Sequence, residues 1–334
     1  MVRSQLVTIL IGILALVMIA ACSTVNASQP ETTPTSVSTE IPTAVPLSQT
    51  PVETVTPIPT LTKTIAAFTS THTVTPTNTL TPTQTPTATP DTRLKADQWR
   101  AWPIVPTLSA RALEIYRIGQ KIGNNPKVFS RIGDCQSESA IMMGVYDNPR
   151  LYTLNPDYQH LQVTINQFTG SFTRHNMTVR QGFGIASVFN KLLADRQQCG
   201  SDETPLACEY RLSKPIVAII SMGTNWCAGC TQKYEEYLRK IVDFLLENGV
   251  IPVISTKADN IEKDWSINEA MARVAYDYDI PLWNFWRAVQ YLPNHGLMPD
   301  NEYLTLPGWN ERSFTGLQTL DAVWTAIQKA DEAQ

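Results

Sequence analysis

Between Ser23 and Thr92 the chain is dominated by Thr, Pro and Ser, with TPTNTLTPTQTPTATPDT typical of the whole stretch. Such a segment has too few large apolar side chains to offset the entropy of ordering, so residues 23–93 are expected to stay extended and disordered. At roughly 3 Å per residue for polyproline-like chain, about 70 residues reach up to ~200 Å, enough to pass through a cell wall. Dense hydroxyls also permit O-glycosylation. Any packed core must therefore come from residues 94–334, a length compatible with one α/β domain.

Within that part the hydrophobic pattern alternates. TLSARALEIYRIGQKI has helical spacing and KVFSRIG reads as a short buried strand. FGIASVFNKLLADR reads as a helix, followed by the continuous apolar strand KPIVAIISMG. TQKYEEYLRKIVDFLLENG is an amphipathic helix stopped by Gly249. VIPVIST is the next strand, SINEAMARVAYDYD the next helix, with Ser266 and Glu269 as its capping pair. IPLWNFW is another strand, and FTGLQTLDAVWTAIQKA closes the chain as a helix. Strands alternating with helices of this length imply a parallel sheet covered on both faces, with function in the loops at the strands' carboxyl ends. A formal net charge of −4, with Lys and Arg scattered, argues against nucleic acid as a partner.

The N-terminus carries MVRSQ and then an apolar run from Leu6 to Ala21, the length of a signal segment and short for a bilayer span. The run ends in MIAAC, which resembles the lipobox of bacterial lipoproteins. The resemblance implies a signal over residues 1–22, cleavage before Cys22, lipidation of Cys22, and a protein held on a membrane outside the cytoplasm.

Four blocks in the strand-end loops carry a second resemblance. GDCQS follows the first strand, VRQGFG precedes the next helical stretch, GTN follows VAIISM, and PDNEYLT lies before the last helix. Together they resemble the SGNH, or GDSL, hydrolase family over Val128 to about Thr319. CGSDETPLACEYRLSKP and IPVISTKADN look like a subgroup of bacterial extracytoplasmic members. The resemblance implies a three-layer αβα fold with a flavodoxin-like parallel sheet, no cofactor, and ester hydrolysis of acylated carbohydrate or lipid. It places Cys135 at the nucleophile position. The oxyanion hole falls to the Cys135 N–H, the Gly182 N–H (or that of Gly184) and the Asn225 side chain. Asp300 matches the acid, and Tyr303 stands where the base should be His. A thiol can replace a serine hydroxyl as nucleophile, but a phenol is a poor base at neutral pH. His295 in LPNHGLMPDNEY is the substitute base if one exists. His160 and His175 are less well placed, and His72 lies in the Thr/Pro/Ser tract. Two readings follow: a catalytically reduced domain that binds an envelope glycan, an acylated small substrate or a protein, or a cysteine esterase in which His295 or water takes the proton.

Besides Cys22 there are five cysteines. Cys199 and Cys208 flank a short loop and suit a disulfide. Cys227 and Cys230 form a CxxC, which leaves Cys135 as the odd thiol; alternatively Cys135 bridges Cys227 across the pocket. NWCAGC also resembles the thioredoxin motif, implying a thiol-disulfide oxidoreductase working through Cys227 and Cys230. The His and Cys spacing supports no metal site. Trp265, Trp283, Trp286 and Trp309 suit core and loop packing, with a sugar-binding cleft as the alternative.

Overall fold

A computed structural model describes residues 91–225 and 229–333. The signal and lipobox segment with Cys22, the Thr/Pro/Ser tract up to residue 90 with His72, and Cys227 lie outside the described residues. Four strands, β1 (Asn125–Gly133), β2 (Pro215–Ser221), β3 (Ile251–Ser255) and β4 (Leu282–Trp283), form an all-parallel sheet in the order β1-β2-β3-β4. β2 is buried along its whole length, as a strand covered on both faces must be. The helices are α1 (Ala110–Lys121), α2 (Leu161–Gln167), α3 (Pro205–Ser213), α4 (Thr231–Glu247), α5 (Ser266–Tyr278), α6 (Phe285–Ala288) and α7 (Leu306–Glu332). Successive side chains of a strand point to opposite faces, and β1 shows what covers each. Phe129 packs on Phe168 and Phe172, and Phe168 on Trp324 of α7, whereas Ser130 turns to Glu209 of α3.

α4 illustrates how pattern becomes packing. Tyr234, Leu238, Ile241, Val242 and Leu245 recur at helical spacing and are all buried. The helix stops where Gly249 takes a φ of +61° and its N–H bonds back to Leu246 O. Gly249 also meets Gly119 of α1 so closely that a Cβ on it would lie 2.3 Å from the Gly119 nitrogen, so both positions exclude a side chain. The short helical segment Ala96–Ala101 is fastened to the far end of the sheet. Asn284 Nδ2 donates to Trp99 O and Trp102 O, and Trp99 packs with Trp265 and Trp286 beneath the Arg100 guanidinium. Three of the four candidate tryptophans are thereby accounted for by packing, since Trp283 is fully buried.

Three local expectations change. FGIASVFNKLLADR forms two short 3-10 turns, Ser187–Phe189 and Lys191–Leu193, instead of a helix, because Asn190 takes an extended conformation and caps the second turn itself. IPLWNFW is a strand only at Leu282–Trp283; Asn284 accepts from Arg287 N and starts α6. At α5 the cap residue is Trp265 in a left-handed conformation, and Asp264 Oδ1 accepts from Ser266 N in place of a Ser266–Glu269 pair.

Candidate functional site

The carboxyl ends of β1, β2 and β3 meet in a buried polar layer. β1 runs into Asp134, which caps the short turn Cys135–Ser137 by accepting from Gln136 N at 2.9 Å. Its other oxygen faces the N–H groups of Gly223 and Thr224, at 3.4 and 3.3 Å, so the end of β1 is docked on the loop after β2. The turn folds back tightly: Ser137 Oγ donates to Ser221 O, and a Cβ on Gly133 would lie 2.0 Å from that hydroxyl. On the outer side of β1, Gly133 makes an isolated parallel bridge to Val179, with Gly133 N donating to Thr178 O. The chain therefore leaves β1, visits its outer edge, and returns to β2 on the other side. The crevice between the ends of β1 and β2 is thus a topological switch point, where α/β sheets bind ligands.

Charged groups crowd this layer. Burial pushes the Asp134 carboxyl above its ordinary range, opposed first by the Arg312 guanidinium and then by its backbone donors. Arg312, from α7, donates to Gln136 O and Ser221 Oγ, and its own pKa is lowered to about 10 by burial. Lys257, after β3, donates to Asp259 Oδ1 and Glu262 Oε2, each at 2.5 Å. Burial likewise raises Asp259, against the pull of Lys257. Between these groups lies a cavity of about 20 Å³, room for about one water molecule. Arg312 and Lys257 were not singled out in the sequence. Arg312 had a signal, standing on the buried face of α7 with Trp309 and Gly316, where a lone charge needs a partner.

The residues implied by the hydrolase resemblance fare unevenly. Cys135 stands at the predicted strand end, half-buried, but it is disulfide-bonded and not the odd free thiol. Cys230 is also disulfide-bonded, and no free cysteine occurs among the described residues. The Gln181–Gly184 and Thr224–Asn225 loops come together, with Asn225 Nδ2 donating to Phe183 O at 3.1 Å. That bond takes one of the two N–H donors of the amide that an oxyanion would need. Gly182, at φ +80°, is exposed, and the Gly184 N–H donates to Ser187 Oγ.

The acid–base positions are further from working geometry. Asp300 is exposed and accepts from the N–H groups of Glu302 and Tyr303, so it shapes its own turn and orients no histidine. Tyr303 is buried, and burial together with the Glu302 carboxylate drives its pKa well above the ordinary tyrosine value, away from any role as base. His295 sits exposed on the 3-10 turn Pro293–Gly296, its Nδ1 3.4 Å from Gln290 O, and does not line the cavity at the strand ends. His175 instead shares a cleft of about 460 Å³ with Glu138, whose carboxyl is raised by burial and lowered by His175 and Arg131. His160 is exposed beside Asp321.

Cys199 and Cys208 form the expected disulfide, with Cα atoms 5.4 Å apart. With Glu203 they are the only grouping of metal-ligating types among the described residues, but the two sulfurs are bonded to each other and Glu203 is paired with Arg211. No family model matches the chain, and no curated protein matches it.

Proposed function

We propose that residues 94–334 are an SGNH-type hydrolase domain whose hydrolytic machinery has been dismantled, carried outside the cytoplasm on a lipid anchor at Cys22, and that it binds an acylated envelope ligand without cleaving it. The observation carrying this reading is the disulfide at Cys135, the nucleophile position, because a sulfur held in a disulfide has no thiolate to attack an ester. Three further features support it. Tyr303 is buried with a raised pKa, Asp300 is spent on its own turn, and His295 lies on an exposed turn. The Gly133–Val179 bridge favours the family's sheet order, since it adds a rudimentary strand outside β1.

The test is release of a chromophore from an aryl acetate by the full-length protein without reductant, beside Cys135→Ala, His295→Ala and the double variant Cys135→Ser/Tyr303→His. The parent is expected to show no turnover. Steady turnover lost in both Cys135→Ala and His295→Ala would replace this reading with that of a cysteine esterase using His295. A gain in the double variant would mark an oxyanion site that outlived its dyad.

A further inference from the structure

Val179, which bridges Gly133 at the outer edge of β1, stands in the wall of the 460 Å³ cleft that holds Glu138 and His175. Five ionisable side chains line this cleft: Glu138, His175, Arg180, Asp195 and Arg196. Two of them are engaged in building its wall. Arg196 donates to the carbonyls of Lys191, Gly200 and Ser201, and Asp195 caps its own turn by accepting from Gln197 N. Glu138 is different. It is only partly exposed, yet its carboxylate accepts no hydrogen bond among the described residues. Burial raises its pKa, and the charges of His175 and Arg131 offset that only in part. Arg131 attracts Glu138 without bonding it, because its guanidinium already donates to Asn176 Oδ1, Met142 O and Arg174 O. A carboxylate half withdrawn from water and given no donor is a group short of a partner. Arg180 complements it in the same cleft. Its Nη1 donates to Leu193 O at 3.3 Å, while Nε and Nη2 have no partner among the described residues. Met177, Val179, Leu192, Leu193 and Ala194 supply apolar wall around the two charges, Leu192 being 84% exposed.

We propose that this cleft binds a short peptide with both termini free, its ammonium on Glu138, its carboxylate on Arg180 and an apolar side chain against Leu192. A volume of this size admits about two or three residues. The charge pattern selects the ligand class. An anion alone would face the Glu138 carboxylate, and a cation alone would face Arg180 and Arg196, so each would set like charges together in a half-desolvated space. A zwitterion satisfies both sides. The planar guanidinium fork takes a carboxylate by two parallel bonds, and an ammonium offers Glu138 the donors that Arg131 withholds. The apolar wall beside the charges suits a peptide side chain better than the bare linker of a zwitterionic phosphate head group. This cleft shares no lining residue with the strand-end cavity and does not involve Cys135, so the proposal stands apart from the reading of the hydrolase machinery above.

The experiment is titration calorimetry of the full-length protein, held in detergent micelles, with the tripeptide Ala-Leu-Ala and its two capped forms. Saturable binding of the free tripeptide is expected, with the N-acetylated form and the C-terminal amide each weaker by about tenfold or more. Glu138→Gln should erase the discrimination against the N-acetylated form and keep that against the amide. Arg180→Gln should do the reverse. This crossed pattern reports the two charge contacts, which a general loss of structure would not reproduce. Equal binding of free and capped tripeptides by the parent would overturn the proposal whatever the variants do. Absence of saturable heat with the free tripeptide would overturn it too, as would tighter binding of glycerophosphoethanolamine than of the peptide.

Discussion

Two buried charged networks border β1, and they are built to different standards. At its outer edge, Glu209 of α3 is surrounded by donors. Ser130 Oγ, Arg174 Nη1 and Asn176 Nδ2 reach one oxygen at 2.6, 2.7 and 3.1 Å, and Met177 N reaches the other at 2.7 Å. In the polar layer where the carboxyl ends of β1, β2 and β3 meet, Asp259 and Glu262 share the single Lys257 ammonium that follows β3, and the Glu262 Oε1 atom has no hydrogen-bond partner among the described residues. Each network leaves one guanidinium Nε unpaired, on Arg174 and Arg312. A carboxylate with donors on both oxygens acts as a staple, whereas under-satisfied buried groups retain capacity for a ligand or a proton. The contrast places rigidity at the edge of β1 and chemical latitude at its tip.

The comparison breaks first at Glu209. Glu209→Ala strands Arg174 and the N–H groups around it, and is expected to cost about 3–5 kcal/mol, read from urea unfolding. A loss under 1 kcal/mol would show that the edge network is no staple. Arg312→Met should cost less, about 2–3 kcal/mol at neutral pH, because Asp134 keeps its backbone donors.

Its pH dependence sharpens the contrast. Asp134 already titrates above its ordinary value of 3.8, so the protonated form suits the fold better than the ionised one. Stability from this group is therefore greatest below 3.8 and is lost as pH rises through the folded value. Removing Arg312, the main force lowering that value, moves it higher still. The deficit of Arg312→Met should consequently be largest at neutral pH and narrow as pH falls toward 3.8, as unfolding midpoints across pH would show. A deficit that is flat or widens on acidification would remove Arg312 as the counter-charge of Asp134. The smallest effect belongs to Asp300→Ala. With only its own turn to hold, it should cost about 1 kcal/mol or less and leave any ester-cleaving pH profile untouched.

How far the sequence could be read depended on the range of the forces involved. KPIVAIISMG and TQKYEEYLRKIVDFLLENG announce β2 and α4 because burial on both faces or along one stripe writes itself into consecutive residues. IPLWNFW misled past Trp283, since its apolar run continues while Asn284 caps a helix. FGIASVFNKLLADR has the spacing of a helix, and capping by Asn190 divided it into turns. The site positions were legible as places in the chain: GDCQS does end β1, and the Gly182 and Asn225 loops do meet. Their chemical states were not. The pairing of Cys135, the burial of Tyr303 and the self-directed bonds of Asp300 all depend on partners that periodicity does not encode.

The alternation of apolar strands and amphipathic helices was enough by itself to determine an α/β chain with a parallel sheet and its loops gathered at one end, because local burial patterns repeat at the period of each element. Only the tertiary structure decided what those loops hold. Asp134 feels the charge of Arg312 across 178 positions of sequence, a separation over which no local pattern extends. The charge state of the strand ends follows from such long-range contacts, since desolvation and pairing depend on what packs nearby in space and not on what adjoins in the chain.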